Sequence, residues 1–322
     1  MIIVTGGAGF IGSCIVSRLN AMGIDDLVIV DHLLSGDIKK KNLEHKRYRR
    51  FLDKTEFLRK IRKGIFQEKA DCVIHMGACS STTGQDENYY RSNNTEYSCH
   101  LANWAKVNGS RFIYASSAAT YGEGEQGYSD ADESTRKLRP LNLYGESKQR
   151  FDLWVLEQGF EKEMVGLKFF NVFGPNEYHK SDMRSVVAKA FPKVVAEGRM
   201  QLFKSYRPEY GDGEQKRDFI YVKDAVDVVM FFMENRQANG IFNVGTGKAR
   251  SWNDLATAMF AAADKPLCVD YIDMPEHLRA RYQYFTQAEM DKLRKAGYAK
   301  EFTPLESAVA DYAGYLQKGA YL

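Results

Sequence analysis

The sequence predicts an α/β fold, in which a doubly wound parallel sheet is followed by a smaller mixed α/β domain at the C-terminal side. Short apolar strands alternate with amphipathic helices in the first half of the chain, and this alternation stops after about residue 171. Alternating strands and helices favour a parallel sheet that is covered on both faces. The length of 322 residues suits about two domains. We therefore expect one domain from residues 1–171 with about 218–245, and a substrate-binding domain from 172–217 and 246–322.

The individual elements follow from short β-branched runs and from apolar residues at helical spacing. The predicted strands are 2–5, 27–30, 71–75, 111–115 and 164–170. The predicted helices are 10–19, 57–64, 98–107 and about 184–197. Segments 172–182 and 203–217 fit neither pattern. Ser251 and Asp254 resemble a capping box at the start of a later helix.

Composition disfavours several classes of protein. The formal net charge is only +3, which gives no general attraction to nucleic acids or anionic membranes. No apolar run approaches the roughly 18 residues of a membrane span, and the start of the sequence lacks the basic region of a signal peptide. The 5 cysteines form no C-x-x-C pair, which disfavours a disulfide framework or a zinc site. We expect a cytoplasmic protein with reduced thiols, no metal, and neither nucleic acid nor membrane as a partner.

A glycine-rich turn between the first strand and the first helix is the first chemical signal. Gly6 permits the sharp turn, Gly9 permits close approach of a pyrophosphate, and Gly12 permits close helix–strand packing. The helix N-terminus offers free N–H groups to phosphates. Asp31 ends the second strand, where an acidic residue binds ribose hydroxyls. This order predicts a Rossmann-type dinucleotide site. Asp31 favours NAD, whereas nearby lysines could pair with the 2′-phosphate of NADP, so the residues alone leave the choice open.

A tyrosine and a lysine four residues apart are the second signal. On a helix, Tyr144 and Lys148 share one face. A neighbouring ammonium favours the phenolate, so we expect Lys148 to lower the pKa of Tyr144 and to make it a usable base. Ser116 and Ser117 end a preceding strand, at the edge where open α/β sheets bind ligands. The sequence therefore predicts an active site at this edge.

These motifs resemble the extended short-chain dehydrogenase/reductases, which act on nucleotide-linked sugars with a bound nicotinamide. The shared strings are TGGAGFIG at 5–12, SAATYG at 117–122, the Tyr144/Lys148 pair and RDFIYV at 217–222. More selective strings are similar to a subfamily that inverts C6″ of an ADP-linked heptose for lipopolysaccharide core biosynthesis. They are GACSSTT at 77–83, FNVFGP at 170–175 with His179 and Lys180 after it, GIFNVGTG at 240–247 and RYQYFTQ at 281–287.

The resemblance implies a cofactor site, a substrate site and a homo-oligomer, such as a pentameric ring. The family's usual preference favours NADP, with NAD possible. The implied cofactor residues are Gly6, Gly9, Phe10, Ile11, Gly12, Asp31, His32, Lys39, Lys54, Met76, Gly77, Ala78, Cys79, Ser80, Asn93, Tyr144, Lys148, Val172 and Lys180. The implied substrate residues are Ser117, Asn171, Asp182, Lys189, Phe203, Lys204, Ser205, Tyr206, Arg217 and Tyr282.

The resemblance also implies four catalytic residues. Nothing acidifies the C–H bond at a carbinol carbon, so inversion requires transient oxidation to a 6″-ketone. Tyr144 and Lys180 would be the two acid/base groups, Ser117 would bond the reacting oxygen, and Lys148 would orient the nicotinamide ribose. An epimerase of another nucleotide-sugar, GDP-heptose or a UDP-hexose epimerised at C4, is the alternative. Ala118 after Ser117 argues against a dehydratase, and the retained Tyr/Lys pair argues against a cofactor-sensing binding module.

Overall fold

The computed structural model describes residues 1–279 and 282–322. The strands are β1 (Ile2–Thr5), β2 (Leu27–Asp31), β3 (Arg50–Asp53), β4 (Cys72–His75), β5 (Arg111–Ser117), β6 (Val165–Phe169), β7 (Asn171–Phe173), β8 (Met200–Phe203), β9 (Lys216–Tyr221), β10 (Gly240–Val244), β11 (Ala249–Ser251) and β12 (Val269–Ile272). The α-helices are α1 (Phe10–Ala21), α2 (Lys54–Arg62), α3 (Glu87–Tyr90), α4 (Tyr97–Val107), α5 (Asp132–Thr135), α6 (Leu143–Glu157), α7 (Val186–Glu197), α8 (Val222–Glu234), α9 (Trp252–Ala262), α10 (Glu276–Arg279), α11 (Asp291–Lys295) and α12 (Leu305–Lys318). A π-helix spans Arg91–Glu96, and 3-10 helices span Ile38–Leu43, Ala118–Tyr121, Phe160–Lys162 and Tyr178–Met183.

The main sheet has the order β10-β6-β5-β4-β1-β2-β3 in the described chain. All of its neighbouring strands pair in parallel. The chain moves outward in both directions from β1, so the strand order reverses between β1 and β4. Such a reversal opens a crevice at the carboxyl ends of the strands, where α/β sheets bind ligands. The predicted parallel sheet is confirmed.

Both faces of the main sheet are covered by apolar side chains. On one face, α1 and α8 bury Ile15 and Val229, and this core continues to α9 and α12. On the other face, Phe57 of α2, Leu101 of α4 and Phe112 of β5 belong to one buried apolar cluster. Because both faces of the sheet are covered, side chains on both sides of each central strand are buried, and the strands are therefore continuous apolar runs in the sequence.

Two strands of the main sheet lie where the sequence predicted none. Edge strand β3 carries polar side chains and buries only Leu52, so its sequence resembles a solvated segment. Strand β10 is fully buried but contains Asn243, whose side-chain amide donates to the Tyr128 carbonyl at 2.7 Å. Helix α2 begins at Lys54, earlier than predicted, because the Asp53 carboxylate accepts from the Thr55 and Glu56 amides.

The remaining strands form two small sheets. Strand β9 pairs in parallel with β7 and antiparallel with β11, and β8 pairs in parallel with β12. The two small sheets, of which the one formed by β7, β9 and β11 is mixed, confirm the smaller α/β region. Residues 172–173, 203 and 216–217 lie in strands, although the sequence predicted irregular segments there. The predicted capping box of Ser251 and Asp254 is present at the start of α9. The exact domain boundaries stay a prediction.

Within residues 1–279 and 282–322, no helix combines the length and apolar character needed to cross a bilayer.

Candidate active site

The glycine-rich turn leaves no room for a side chain at Gly6 or at Gly12. Gly6 has a φ of +66°, and a Cβ there would lie 2.6 Å from the Gly77 nitrogen. A Cβ on Gly12 would lie 2.1 Å from the Gly6 carbonyl oxygen. The turn therefore brings the N-terminus of α1 close to the loop after β4, an arrangement that fits the pyrophosphate expected from the sequence.

Asp31 lies beside the glycine turn and accepts several hydrogen bonds. Its carboxylate accepts from the Ala8 amide at 2.9 Å, from the His32 amide at 2.7 Å and from Lys39 Nζ at 2.9 Å. The His32 Nδ1 lies 2.9 Å from an Asp53 carboxylate oxygen, and this contact lowers the pKa of Asp53 against the opposing effect of burial. Two cationic or basic side chains thus stand beside the residue that the sequence predicts for ribose recognition.

Two adjoining cavities in the described chain occupy the crevice. The larger has a volume of about 430 Å³ and the smaller about 260 Å³. They share five lining residues, which are Gly6, Asp31, Lys39, Gly77 and Ala78. All the residues that the sequence predicts for the cofactor line one cavity or the other. Their contact with a cofactor stays a prediction.

Tyr144, Lys148 and Ser117 meet in the larger cavity. The Lys148 Nζ donates to the Ala115 carbonyl at 2.7 Å, and burial lowers the pKa of Lys148 to about 8. Burial raises the pKa of Tyr144, while a hydrogen bond with Ser117 lowers it. The expectation that Lys148 brings the pKa of Tyr144 down was therefore wrong for the protein alone, because the hydroxyl is desolvated.

Lys180 reaches the same cavity from the 3-10 helix Tyr178–Met183. The buried Glu177 carboxylate anchors this segment by accepting from the Ser185 amide at 2.5 Å and from its hydroxyl at 2.6 Å. The Lys180 Nζ lies 5.3 Å from the centre of the Phe10 ring, a cation–π distance. Burial lowers the pKa of Lys180, which favours the neutral amine that a base requires.

The predicted substrate residues other than Ser117 lie outside the lining of both cavities. Arg217 is buried, with its guanidinium carbon 5.2 Å from the Tyr282 ring centre and 5.7 Å from that of Trp252. The Phe203 and Tyr282 ring centres are 6.4 Å apart. Asn171 is exposed, one residue before Val172 of the cavity lining, and its side-chain oxygen accepts from Thr286 at 3.5 Å.

The other predicted substrate residues form surface contacts. Lys204 Nζ and the Tyr206 hydroxyl bond Asp273 at 3.2 and 3.1 Å. The Ser205 amide donates to Asp212 at 2.7 Å. Asp182 and Lys189 are exposed, and Lys189 Nζ donates to the Asp182 carbonyl at 3.3 Å. Arg281, the first residue of the RYQYFTQ string, lies outside the described residues.

The sequence analysis named Ser116 at a strand end and His179 beside Lys180 but gave neither a role in the site, and both line the larger cavity. The position of His179 next to Lys180 in the sequence was the feature that could have indicated its place in the cavity. Burial lowers the pKa of its imidazole to about 4. Ser116 donates to the buried Asp152 carboxylate at 2.6 Å, and Lys168 donates to the same oxygen at 2.6 Å. No local sequence pattern indicates the buried ion pair between Lys168 and Asp152, which lies next to the end of β5.

Comparisons with known proteins agree with this geometry. Residues 2–245 match the model of the NAD dependent epimerase/dehydratase family. The chain is 53% identical over 312 residues to an ADP-L-glycero-D-manno-heptose-6-epimerase from Nitratidesulfovibrio vulgaris, covering 97% of this chain and 96% of that protein. It is 48% identical over 331 residues to the enzyme of that name from Fusobacterium nucleatum, covering 99% and 98%.

Solved structures share the fold over nearly the whole chain. The ADP-L-glycero-D-manno-heptose-6-epimerase from Helicobacter pylori has a TM-score of 0.81 at 28% identity, covering 98% of this chain and 96% of that one. A UDP-N-acetylglucosamine 4-epimerase from Methanobrevibacter ruminantium also gives 0.81, at 26% identity, covering 99% and 98%. Equal scores mean that the fold alone does not discriminate between these substrates. The motifs, the crevice and the match over residues 2–245 agree, and the chain belongs to the NAD dependent epimerase/dehydratase family.

Proposed function

We propose that this protein converts ADP-D-glycero-D-manno-heptose to its L-glycero epimer by transient oxidation and reduction at C6″. The full-length similarity to enzymes of that name supports the substrate. The observation that carries the chemistry is that Tyr144 and Lys180 line one cavity from two different elements, α6 and the Tyr178–Met183 helix. At a side-chain carbon such as C6″, the ketone exposes its two faces in two orientations, and two groups in different positions can each exchange a proton with the oxygen in one of them.

The crevice fits a nicotinamide dinucleotide. The glycine cradle, which a Cβ would fill, and the free N–H groups of α1 suit a pyrophosphate. When bound, the nicotinamide supplies a hydride acceptor that can return the hydride to the other face. We propose NADP as the preferred form, because Lys39, Lys54 and His32 line the smaller cavity beside Asp31, and Lys39 offsets the negative charge of that carboxylate.

Two side chains, Tyr144 and Lys180, each carry out one of the proton transfers. Tyr144 removes or returns the proton of the C6″ hydroxyl at one face, and Lys180 does so at the other. Ser117 holds the reacting oxygen, and the charged form of Lys148 orients the nicotinamide ribose and stabilises the phenolate when Tyr144 ionises. Arg217, stacked on Tyr282, binds the diphosphate of the substrate.

Epimerisation by the purified protein tests this proposal. The protein is incubated with ADP-D-glycero-D-manno-heptose without added cofactor, and the L-glycero epimer is expected at equilibrium. Substrate deuterated at C6″ is expected to keep its label in the product, because the hydride returns to the carbon it left. No epimer, or loss of the label to water, contradicts the proposal. GDP-heptose and UDP-glucose in parallel reactions test the alternative substrates.

The cellular setting follows from this activity. The product would supply precursor for the lipopolysaccharide core, in the cytoplasm. We propose a homo-oligomer, which sedimentation of the purified protein tests; a monomer at micromolar concentration contradicts it.

A further inference from the structure

His179 lines the larger cavity, and one edge of its ring faces a buried amide. The imidazole Nδ1 lies 3.2 Å from the side-chain nitrogen of Asn42. That nitrogen also donates to the Ala8 carbonyl at 2.9 Å and to the Asn176 carbonyl at 3.1 Å. Asn42 is only 1% exposed, belongs to the 3-10 helix Ile38–Leu43 and lines neither of the two cavities. The contact with His179 therefore comes from the protein interior.

The orientation of the Asn42 amide decides which imidazole nitrogen carries the proton. Two backbone carbonyl oxygens face the amide nitrogen, so a rotated amide would set its own oxygen against both of them. An amide nitrogen donates and does not accept, so Nδ1 of His179 is the acceptor in this contact. In a neutral imidazole whose Nδ1 accepts, the proton is on Nε2.

The surroundings of the ring keep it uncharged. Burial, and after it the ammonium groups of Lys39 and Lys180, lower the pKa of His179 to about 4, although the carboxylates of Asp31 and Asp37 oppose this shift. Near neutral pH the ring is therefore a neutral N–H donor, like the free N–H groups at the start of α1.

The Nε2 edge of the ring is available to a ligand at the glycine turn. Nε2 has no hydrogen-bond partner among residues 1–279 and 282–322. Asn42 ties the ring to the Ala8 carbonyl of that turn. The side-chain nitrogen of Asn176 donates to the Ser13 hydroxyl at 2.9 Å, which holds the segment that carries His179 against α1. The ring is thus fixed beside the helix N-terminus where the pyrophosphate is expected.

We propose that His179 binds the pyrophosphate of the nicotinamide dinucleotide through its Nε2–H, and that Asn42 positions His179 by fixing the proton on that nitrogen. This inference rests on the proposed function, because it concerns the cofactor of that reaction. A hydrogen bond to a charged phosphate oxygen is stronger than one between neutral groups. Asn42 acts only through His179 and through the segments that it joins.

Substitutions of the ring separate its two edges. His179→Gln places an amide near the position of Nε2 and keeps a donor for the phosphate. His179→Asn is shorter, so its side-chain oxygen can still accept from Asn42, but no group reaches the position of Nε2. His45→Asn is the matched control, because His45 is exposed after the same 3-10 helix and asparagine tolerates its φ of +63°.

The first measurement is the affinity of stripped protein for NADP and for NAD, by titration calorimetry. We expect His179→Asn to bind each nucleotide roughly tenfold or more weakly than wild type, because it loses a hydrogen bond to a charged group. The two losses should be equal, since both nucleotides contain the pyrophosphate. His179→Gln should stay within roughly threefold of wild type, and His45→Asn should match it.

Nitrogen NMR of histidine-labelled protein measures the tautomer directly. The chain has 6 histidines, and the signals that are absent from His179→Asn belong to His179. In wild type at neutral pH we expect a protonated Nε2 and an unprotonated Nδ1. In Asn42→Ala the proton should exchange between the two nitrogens, which gives averaged shifts and a weaker affinity for both nucleotides.

Wild-type affinity in His179→Asn overturns the proposal, and so does a loss confined to NADP, which would place the ring at the 2′-phosphate. A wild-type ring protonated on Nδ1 overturns the role of Asn42, as do unchanged shifts and affinity in Asn42→Ala. If Asn42→Ala does not fold, the wild-type spectrum and the two His179 variants decide. None of these measurements uses ADP-heptose, so a protein that binds the nucleotide through His179 and epimerises no ADP-heptose contradicts the proposed function alone.

Discussion

Replacing Gly12 by alanine tests whether the cofactor cradle depends on the close approach of α1 to the turn. The added Cβ would lie 2.1 Å from the Gly6 carbonyl oxygen and 3.0 Å from the Gly7 Cα. Since Cβ atoms do not approach within 3.0 Å of such atoms, the turn and α1 must separate by about 0.9 Å. Both obstacles are backbone, so no side-chain rotation relieves the contact.

A second helical glycine supplies the control. A Cβ on Gly314 in α12 meets nothing within 4 Å, so Gly314→Ala should gain up to about 1 kcal/mol from helix propensity alone. Gly12→Ala gains the same propensity but overpacks the turn, which typically costs about 1–3 kcal/mol. We therefore expect its free energy of unfolding to lie roughly 1–3 kcal/mol below that of Gly314→Ala.

Denaturant unfolding and the amount of nicotinamide bound per chain after dialysis measure the two consequences. We expect Gly12→Ala to lose most of its bound nicotinamide, because the displaced N-terminus of α1 no longer presents its N–H groups to the pyrophosphate. Gly314→Ala should retain wild-type content. If Gly12→Ala matches Gly314→Ala in stability and keeps its nicotinamide, the reasoning about the cradle is wrong.

Three further predictions concern the chemistry of the crevice. Tyr144→Phe and Lys180→Met should each lower kcat roughly a hundredfold or more while nicotinamide stays bound; a wild-type rate in Lys180→Met would exclude its role as a base. Lys54→Ala should weaken binding of NADP much more than binding of NAD, as measured by titration of stripped protein, and equal losses would exclude a contact with the 2′-phosphate. At a pH of about 8, iodoacetamide should alkylate the partly exposed Cys79 in stripped protein but not in holoenzyme. Cys14 should stay unmodified in both, because burial raises the pKa of its thiol to about 12; mass spectrometry that finds Cys79 unprotected by cofactor would place the cofactor elsewhere.

The predictions that held depend on short stretches of chain. The glycine turn lies within one strand, turn and helix, and the close approach of Gly12 to Gly6 is local to that segment. Tyr144 and Lys148 are one helical turn apart, and their shared face follows from helix geometry. The parallel sheet followed from the alternation of elements, since crossover connections leave few other arrangements.

Strand assignments failed where tertiary contacts outweighed local preference. Strand β10 pairs with β6 although it contains the polar residue Asn243. The side chain of Asn243 can be buried there because it donates a hydrogen bond to the Tyr128 carbonyl. Edge strand β3 is recognisable only from its partner β2. Neither partner can be inferred from the residues of the strand itself.

The sequence by itself determined the glycine turn, the Tyr/Lys pair and the alternation of strands and helices, because each depends on residues that are close along the chain. Only the tertiary structure decided the environment of those groups. The pKa of Tyr144 rises because neighbouring elements exclude water from it, and Lys180 reaches the cavity because Glu177 anchors its segment. The contacts of Asn42 with Ala8 and His179 join residues 34 and 137 positions apart, a separation at which only the folded chain determines which groups meet.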